Sequence, residues 1–389
     1  MFMMNCTFSR LCPVLSARRN NILLTGATGI LGSHILFELL LLFSERKMKG
    51  QIVLLVRPDR KHTAEERVKN VLTSESVPEQ LRRIPVSDLL RNIVVIDSGL
   101  REFSAGMLPP GLSGYTVIHA ASSVNLGHGE EQSREIEENN YFGTVHLLEE
   151  ISSRTSRFVF VSTAYSSGHR CGEIDNDFLS ADGYDFRNPY ELYKHRTEKY
   201  IEEFCKKRLI EWKIIRPSII CGRLIDPPYY AISRFLVFYL FARYAMAIQN
   251  RLKESQLRLQ VPEKSVINIV PVDYVAKALV SSLEDTVTQL NVVHPVDVSC
   301  RTLFKSGFEL INFSNYTFVD DMPESVTQVE KMLYATVGSQ LGPYINTPEH
   351  HFNTSLLSGL MPGINIPSVE DNFSKLLEFA VRQKFIPLY

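Results

Sequence analysis

The sequence predicts an α/β fold: a doubly wound parallel sheet with a smaller C-terminal lobe. Three observations lead there. The phrase Thr25-Gly26-Ala27-Thr28-Gly29-Ile30-Leu31-Gly32 stands between a short apolar run, Ile22-Leu23-Leu24, and a helix-like stretch, Ile35-Leu36-Phe37-Glu38-Leu39-Leu40. Strand-like and helix-like stretches then alternate along the chain, the pattern of βαβ units with right-handed crossovers. The 389 residues, 44% hydrophobic and 22% charged, suit one large α/β domain with an appended lobe.

The first element is strand, glycine turn, helix. Gly26 allows a tight turn, Gly29 lets the backbone approach a pyrophosphate, and Gly32 lets helix and strand pack closely. The N–H groups that open the helix, with its positive dipole end, then face the phosphates. The strand-like runs are Ile22–Leu24, Gln51–Val56, Asn92–Asp97, Thr116–Ala120, Arg157–Ser162 and Lys213–Arg216. Their nearly continuous apolar centres fit strands covered on both faces. The expectation is a Rossmann-type sheet with its ligand crevice at the carboxyl ends of the strands.

After Gly222 the pattern changes. Pro227-Pro228 breaks the chain, and the apolar stretch 235–248 follows, interrupted by Arg243. It is short of the roughly 20 apolar residues a bilayer span needs, so it reads as a buried or pocket-lining helix. A run over 266–270 leads back toward the sheet through Pro271–Leu279, and beyond residue 300 prolines 343, 348, 362 and 367 punctuate a weaker periodicity. The expected division is a leader over 1–20, a nucleotide-binding domain over 21–225 with a returning segment near 266–300, and a mainly helical substrate-binding lobe over 226–389.

A net charge of −1 gives no support for a nucleic-acid surface. The six cysteines (Cys6, Cys12, Cys171, Cys205, Cys221, Cys300) are scattered, without a pair at metal-ligand spacing. They read as reduced thiols of a cytoplasmic protein, with no metal site. Residues 1–20 hold Arg10, Arg18 and Arg19 and no acidic residue; a loosely ordered leader is the expectation, a targeting peptide the alternative.

Arg57 follows the second strand, where an acidic residue would bind the ribose 2′-hydroxyl of NAD. An arginine there pairs with a 2′-phosphate instead, which favours NADPH over NADH; Arg67, in the next helix, is a second candidate. Tyr190-Glu191-Leu192-Tyr193-Lys194 places Tyr190 and Lys194 on one helix face. A free phenol has a pKa of about 10, and a neighbouring ammonium is expected to lower it. At the end of the fifth strand, Thr163, or Ser162 as second choice, could hydrogen-bond a substrate carbonyl oxygen; the competing reading is a turn-capping hydroxyl.

In these residues the chain resembles the extended short-chain dehydrogenase/reductases. The matching phrases are Thr25–Gly32, Val117-Ile118-His119-Ala120-Ala121-Ser122, Asn140-Tyr141-Phe142-Gly143-Thr144, Ser162-Thr163-Ala164-Tyr165, Tyr190–Lys194 and Arg216-Pro217-Ser218. Within that family it is most similar to thioester reductase domains and fatty acyl-CoA reductases, through Leu55-Val56-Arg57 with Ala64-Glu65-Glu66-Arg67, Ala121-Ser122-Ser123-Val124-Asn125, and Ile269–Ala276. It departs at Tyr193, where the family commonly has serine, and at Ile96-Asp97-Ser98, where it more often has Gly-Asp.

The resemblance implies that Gly26, Thr28, Gly29, Ile30, Leu31 and Gly32 hold the pyrophosphate and that Arg57 and Arg67 hold the 2′-phosphate. It implies that Ala120, Ala121 and Ser122 pass along the cofactor, that Asn140 fixes the loop beneath it, and that Pro217 and Ser218 shape the nicotinamide end. Thr163, Tyr190 and Lys194 form the implied catalytic set, with Lys194 also on the nicotinamide ribose. The implied reaction is NADPH-dependent reduction of an acyl thioester, delivered in trans on CoA or an acyl carrier protein, to an aldehyde; whether a second hydride carries it on to the alcohol is left open. Phe235, Phe238, Tyr239 and Phe241 suit an apolar acyl chain or a packed core equally. The alternatives are a nucleotide-sugar epimerase or dehydratase, or a hydroxysteroid-type dehydrogenase, on the same scaffold; a third is a dinucleotide-binding scaffold without chemistry.

Overall fold

The computed structural model describes residues 20–179, 185–252, 256–321, 324–345 and 350–389. The expected leader and Pro348 fall outside them, apart from Asn20. Seven parallel strands form the main sheet: β1 (Ile22–Thr25), β2 (Ile52–Val56), β3 (Ile93–Asp97), β4 (Tyr115–His119), β5 (Thr155–Val161), β6 (Glu211–Pro217) and β7 (Gln289–Val292). Their order across the sheet is β7-β6-β5-β4-β1-β2-β3. The chain runs outward from β1 to β3, then returns to β4 on the other side of β1. The order therefore reverses beside β1 and β4, where an open α/β sheet has its crevice. Their last residues, Thr25 and His119, are register partners.

The strand centres are apolar because both faces are covered. Leu24, Ile52, Leu54 and Ile118 belong to one buried cluster and Leu23, Val53, Val117 and Phe158 to another. The helix Ile30–Ser44 is apolar nearly all round, since it lies between the sheet and the helix Val272–Ser281. Between those helices, Lys277 Nζ reaches Glu38 at 3.0 Å and Asp226 at 2.7 Å, with Lys277 and Glu38 both buried. A buried charge is tolerable only when paired in this way.

β7 is the strand that the apolar-run criterion passes over. Gln289 and Asn291 are polar yet buried. Gln289 Nε2 donates to Asp177 Oδ1 (2.7 Å), and Asn291 Nδ2 donates to Asp175 O (3.1 Å). The NH₂ groups of both amides are thus taken up by the 175–177 loop, so the strand is buried without being hydrophobic.

The smaller C-terminal region packs around a separate apolar cluster that includes Phe238, Phe241, Phe308 and Phe373. Its helices include Phe238–Leu252, Cys300–Leu310 and Val369–Arg382. The run 266–270 resolves into two short strands. Val266–Ile267 pairs antiparallel with Val298–Ser299, and Ile269–Pro271 pairs parallel with Ile219–Cys221, just past β6. His350–Phe352 runs parallel to Gly172–Ile174. Among the described residues, no helix is long and apolar enough to cross a membrane.

Candidate active site at the sheet switch point

The glycine turn is shaped by close backbone approach. Gly26 has φ +73°, and a Cβ there would lie 2.6 Å from the Ala120 carbonyl carbon and the Ala121 nitrogen. A Cβ on Gly32 would run into the Gly26 carbonyl. Gly29 N–H donates to Gly26 O at 2.8 Å, and the helix that follows has no side-chain cap and no acidic residue in its first turn. Ile30, Leu31 and Gly32 therefore present unclaimed N–H groups at the positive end of a helix dipole, suited to an anion.

Two arginines stand beside the turn in different states. Arg57 is exposed at the end of β2. Arg67 is fastened down: its guanidinium donates to Arg57 O at 2.5 Å and to Thr28 Oγ1 at 2.9 Å, and lies 3.4 Å from the Asp59 carboxylate. The helix carrying Arg67 begins with a capping box between Thr63 and Glu66, which sets its direction. Burial lowers the Arg67 pKa, with Asp59 opposing and the charges of Arg234 and Arg57 adding. Arg234 comes from the C-terminal region and is a cation that sequence reading did not single out.

A directed chain of hydrogen bonds runs behind the turn. Thr144 gives its only hydroxyl proton to Asn140 O (2.5 Å), so it must accept from His119 Nε2–H (2.8 Å). Burial first, and then Lys194, hold His119 at a pKa of about 3, so the ring is neutral and Nδ1 is an acceptor. Thr25 Oγ1 donates to that nitrogen at 2.7 Å and accepts Ala121 N–H at 3.2 Å. Asn140 lies in a π-helical segment, Glu137–Phe142, and clamps the next loop residue: its Oδ1 accepts Ser123 N–H (2.8 Å) and its Nδ2 donates to Ser123 O (2.9 Å). Together these bonds fix Ala120–Ser123, with Ser122 exposed at the surface.

The polar residues beyond β5 and on the helix Pro189–Arg208 complete the crevice. Asn188 caps that helix through Glu191 N–H (3.0 Å), and Pro189 opens it. Lys194 is buried and donates to Val161 O at 2.7 Å, its ammonium 5.8 Å from the Tyr190 ring centre. Burial pushes Lys194 down to a pKa of about 7, with the Glu198 charge opposing. Thr163 caps the turn Ala164–Ser167 by accepting Tyr165 N–H at 3.3 Å, which leaves its own proton to donate. Ser162 differs. Its hydroxyl is committed to the buried carboxylate of Glu198. The two candidates are thus separated: Thr163 has a donor to offer the crevice, and Ser162 is held within the protein.

One sequence expectation is corrected. Lys194 was expected to lower the Tyr190 pKa, but burial raises it, and the adjacent Glu191 carboxylate raises it further. Desolvation of a phenolate outweighs an ammonium that is itself buried and hydrogen-bonded elsewhere. Tyr193 is buried off the crevice, its ring 6.4 Å from that of Tyr141 and 5.3 Å from the Arg196 guanidinium.

Pro217 ends β6, and the hydroxyl of Ser218 beyond it is buried without a hydrogen-bond partner among the described residues. An orphaned hydroxyl at this end of the sheet, a glycine cradle that no Cβ could enter and an uncapped helix start fit a bound dinucleotide.

An apolar cleft lies in the C-terminal region, lined among others by Ile219, Phe238, Phe241, Ile267, Phe304 and Gly307. Ile219 adjoins Ser218, so the cleft approaches the same end of the sheet. Of the four aromatics expected there, Phe238 and Phe241 line it. Phe235 and Tyr239 pack instead against each other, ring centres 5.5 Å apart, and the Tyr239 hydroxyl accepts Gly222 N–H.

The family model described as "Male sterility protein", an NAD-binding family, matches residues 24–279. Among solved structures, the terminal R domain of the myxalamid PKS-NRPS pathway is 20% identical with a TM-score of 0.67, covering 97% of this chain and 94% of its own. A thiolation-reductase di-domain from an archaeal non-ribosomal peptide synthetase is 19% identical (TM-score 0.63; 95% and 92% covered). UDP-glucuronic acid 4-epimerase from Bacillus cereus, in complex with UDP-glucuronic acid and NAD, is 17% identical (TM-score 0.63; 93% and 99% covered). At these identities the likeness shows the fold. No curated protein matches the chain in sequence.

Proposed function

The chain belongs to the male sterility NAD-binding family of extended short-chain dehydrogenase/reductases, and from that premise we propose that it is an NADPH-dependent reductase of an acyl thioester. The observation that carries the proposal is the meeting, at one end of one sheet, of the uncapped glycine turn with Thr163, Tyr190 and Lys194. The pyrophosphate is held by the N–H groups after Gly29, and the 2′-phosphate by the exposed guanidinium of Arg57, with Arg67 bracing the turn. Ala120, Ala121 and Ser122 flank the cofactor, Lys194 holds its ribose, and Pro217 and Ser218 border the nicotinamide.

When bound, NADPH supplies the hydride. The hydroxyls of Thr163 and Tyr190 donate hydrogen bonds to the substrate carbonyl oxygen, and Tyr190 gives up its proton. A phenol raised above its ordinary pKa is fully protonated at neutral pH, which is the resting state a reduction needs; an oxidation would need the phenolate. General acid catalysis of this kind contributes about 10²–10⁴-fold. A thioester yields a hemithioacetal, whose C–S bond breaks to give the aldehyde and the free thiol of CoA or the carrier, and a second hydride and proton would give the alcohol. The apolar cleft beyond Ser218 suits an acyl chain. The shared fold of a thiolation-reductase di-domain supports a thioester brought in on CoA or a carrier protein.

The test is NADPH oxidation with a panel of acyl-CoAs, aldehydes and sugar nucleotides. Turnover with thioesters and aldehydes is expected. Isomerisation of a sugar nucleotide without net NADPH oxidation would instead establish the epimerase alternative, and no turnover of any thioester or aldehyde would overturn the proposal.

A further inference from the structure

Glu198 follows Lys194 by four residues, so the two share one face of their helix. It is completely buried, where an unpaired carboxylate would be prohibitively costly. Four donors satisfy it. Ser162 and Ser166 give their hydroxyl protons to Oε1, and Arg216 reaches Oε2 through Nε (3.0 Å) and Nη2 (2.7 Å). Arg216 is itself buried, bonded to Asn176 O and Gln289 Oε1 at 2.6 Å, with its guanidinium 3.9 Å from the Phe178 ring centre. The cluster therefore joins the catalytic helix to the exits of β5 and β6 and to β7.

Two consequences meet at the crevice. Ser162 and Ser166 lie on either side of Thr163 in the chain, so Glu198 fixes the segment that carries the Thr163 hydroxyl. Lys194 faces Val161 O and the Phe160 ring from β5, His119 from β4, and Tyr190 and Glu198 from its own helix. His119 is neutral, and Arg216 stands on the far side of the Glu198 carboxylate. Glu198 is the negative charge that acts on Lys194.

We propose that Glu198 is a positioning residue of this site: its carboxylate is the counter-charge of Lys194 and the common anchor of the two serines that bracket Thr163. Its importance for turnover rests on the reductase reading; the placement of Lys194 and Thr163 does not.

Glu198→Gln alone would set an amide N–H against the buried Arg216 guanidinium and could prevent folding. The test is therefore the pair Glu198→Gln with Arg216→Met. It keeps an oxygen for Ser162 and Ser166 and removes both charges, an exchange that buried ion pairs often tolerate. Lys194 protonation is read by competitive acylation with trace acetic anhydride across a pH series, quantified on the Lys194 peptide, and NADPH affinity is measured over the same series. Arg216 lies beyond the carboxylate, so loss of the nearer Glu198 charge should outweigh loss of the guanidinium and lower the Lys194 midpoint, and the pH above which NADPH affinity declines should fall with it. A folded double variant with an unchanged midpoint overturns the proposal. So does a double variant that cannot fold, since the pair would then serve the fold itself. If the native protein binds no NADPH, the reductase reading fails while the acylation midpoint still decides the role of Glu198.

Discussion

His119 makes the polar chain behind the glycine turn sensitive to acid, and the size of the effect can be worked out. Burial lowers its pKa from 6.5 to about 3 in the folded protein. A base whose folded pKa is depressed contributes full stability above its unfolded pKa and loses it as pH falls from 6.5 toward 3. One pH unit of difference is about 1.4 kcal/mol, so at pH 5 the folded state has lost about 2 kcal/mol through this ring alone. His34, also buried and lowered to about 3, adds a similar amount, while the raised carboxyls of Glu38 and Glu191 act in the opposite direction. The effect is isolated by His119→Gln. Its amide N–H can take the place of Nε2–H toward Thr144, but it cannot be protonated in this range. Urea unfolding at pH 7.5, 6 and 5 should show native stability falling by about 2 kcal/mol more than that of His119→Gln between the first and last values. Parallel losses in the two proteins would refute the neutral, directed hydrogen-bond chain.

Other outcomes follow from the same geometry. Arg57→Ala should raise the NADPH Kd by about 10–100-fold, the worth of a charge-assisted hydrogen bond, and leave NADH binding unchanged. Arg67→Ala should weaken both cofactors, because Arg67 holds Thr28 and the Arg57 carbonyl; equal loss for both cofactors in Arg57→Ala would remove the 2′-phosphate assignment. Tyr190→Phe should lower kcat by about 10²–10⁴-fold with the NADPH Kd unchanged, and unaltered turnover would show that another group supplies the proton. Leu209 ends the helix Pro189–Arg208 in the left-handed region (φ +56°) and is 95% exposed, so Leu209→Gly should stabilise the fold by about 1 kcal/mol, measured by urea unfolding.

What could be read from the sequence follows from what each residue must do. The glycine turn was legible because a backbone approach that excludes a Cβ, as between Gly26 and Ala120, leaves glycine as the residue that fits. Six strands were legible because burial on both faces demands apolar runs such as Val53-Leu54-Leu55-Val56. β7 was not, because Gln289 and Asn291 are buried as hydrogen-bonding groups. The same reason hid Glu198 and His119: charged and polar residue types suggest exposure, and only their partners show that these two lie in the interior. Arg216 stood in a recognisable Arg-Pro-Ser phrase, yet its pairing with Glu198 required a helix and a strand to be brought together. The direction of the Tyr190 pKa could not come from spacing, since it depends on how far solvent is excluded from the phenol. Phe238 and Phe241 separate from Phe235 and Tyr239 only once the helix has a rotation.

The edge strand β7 gives the molecule an architecture that resists being cut into modules. It comes from residues 289–292, well after the chain has entered the C-terminal region, and completes the nucleotide-binding sheet beside β6. His350–Phe352 likewise returns to pair with Gly172–Ile174. A fragment ending at residue 225 would leave the β6 edge bare, an open template for association with other chains, and would strip Arg216 of its bond to Gln289. Swapping everything after 225 with another member of the family would therefore also replace part of the NAD-binding sheet. Exchanging side chains in place avoids both return crossings, whereas a junction anywhere between residues 174 and 350 separates the strands of the second.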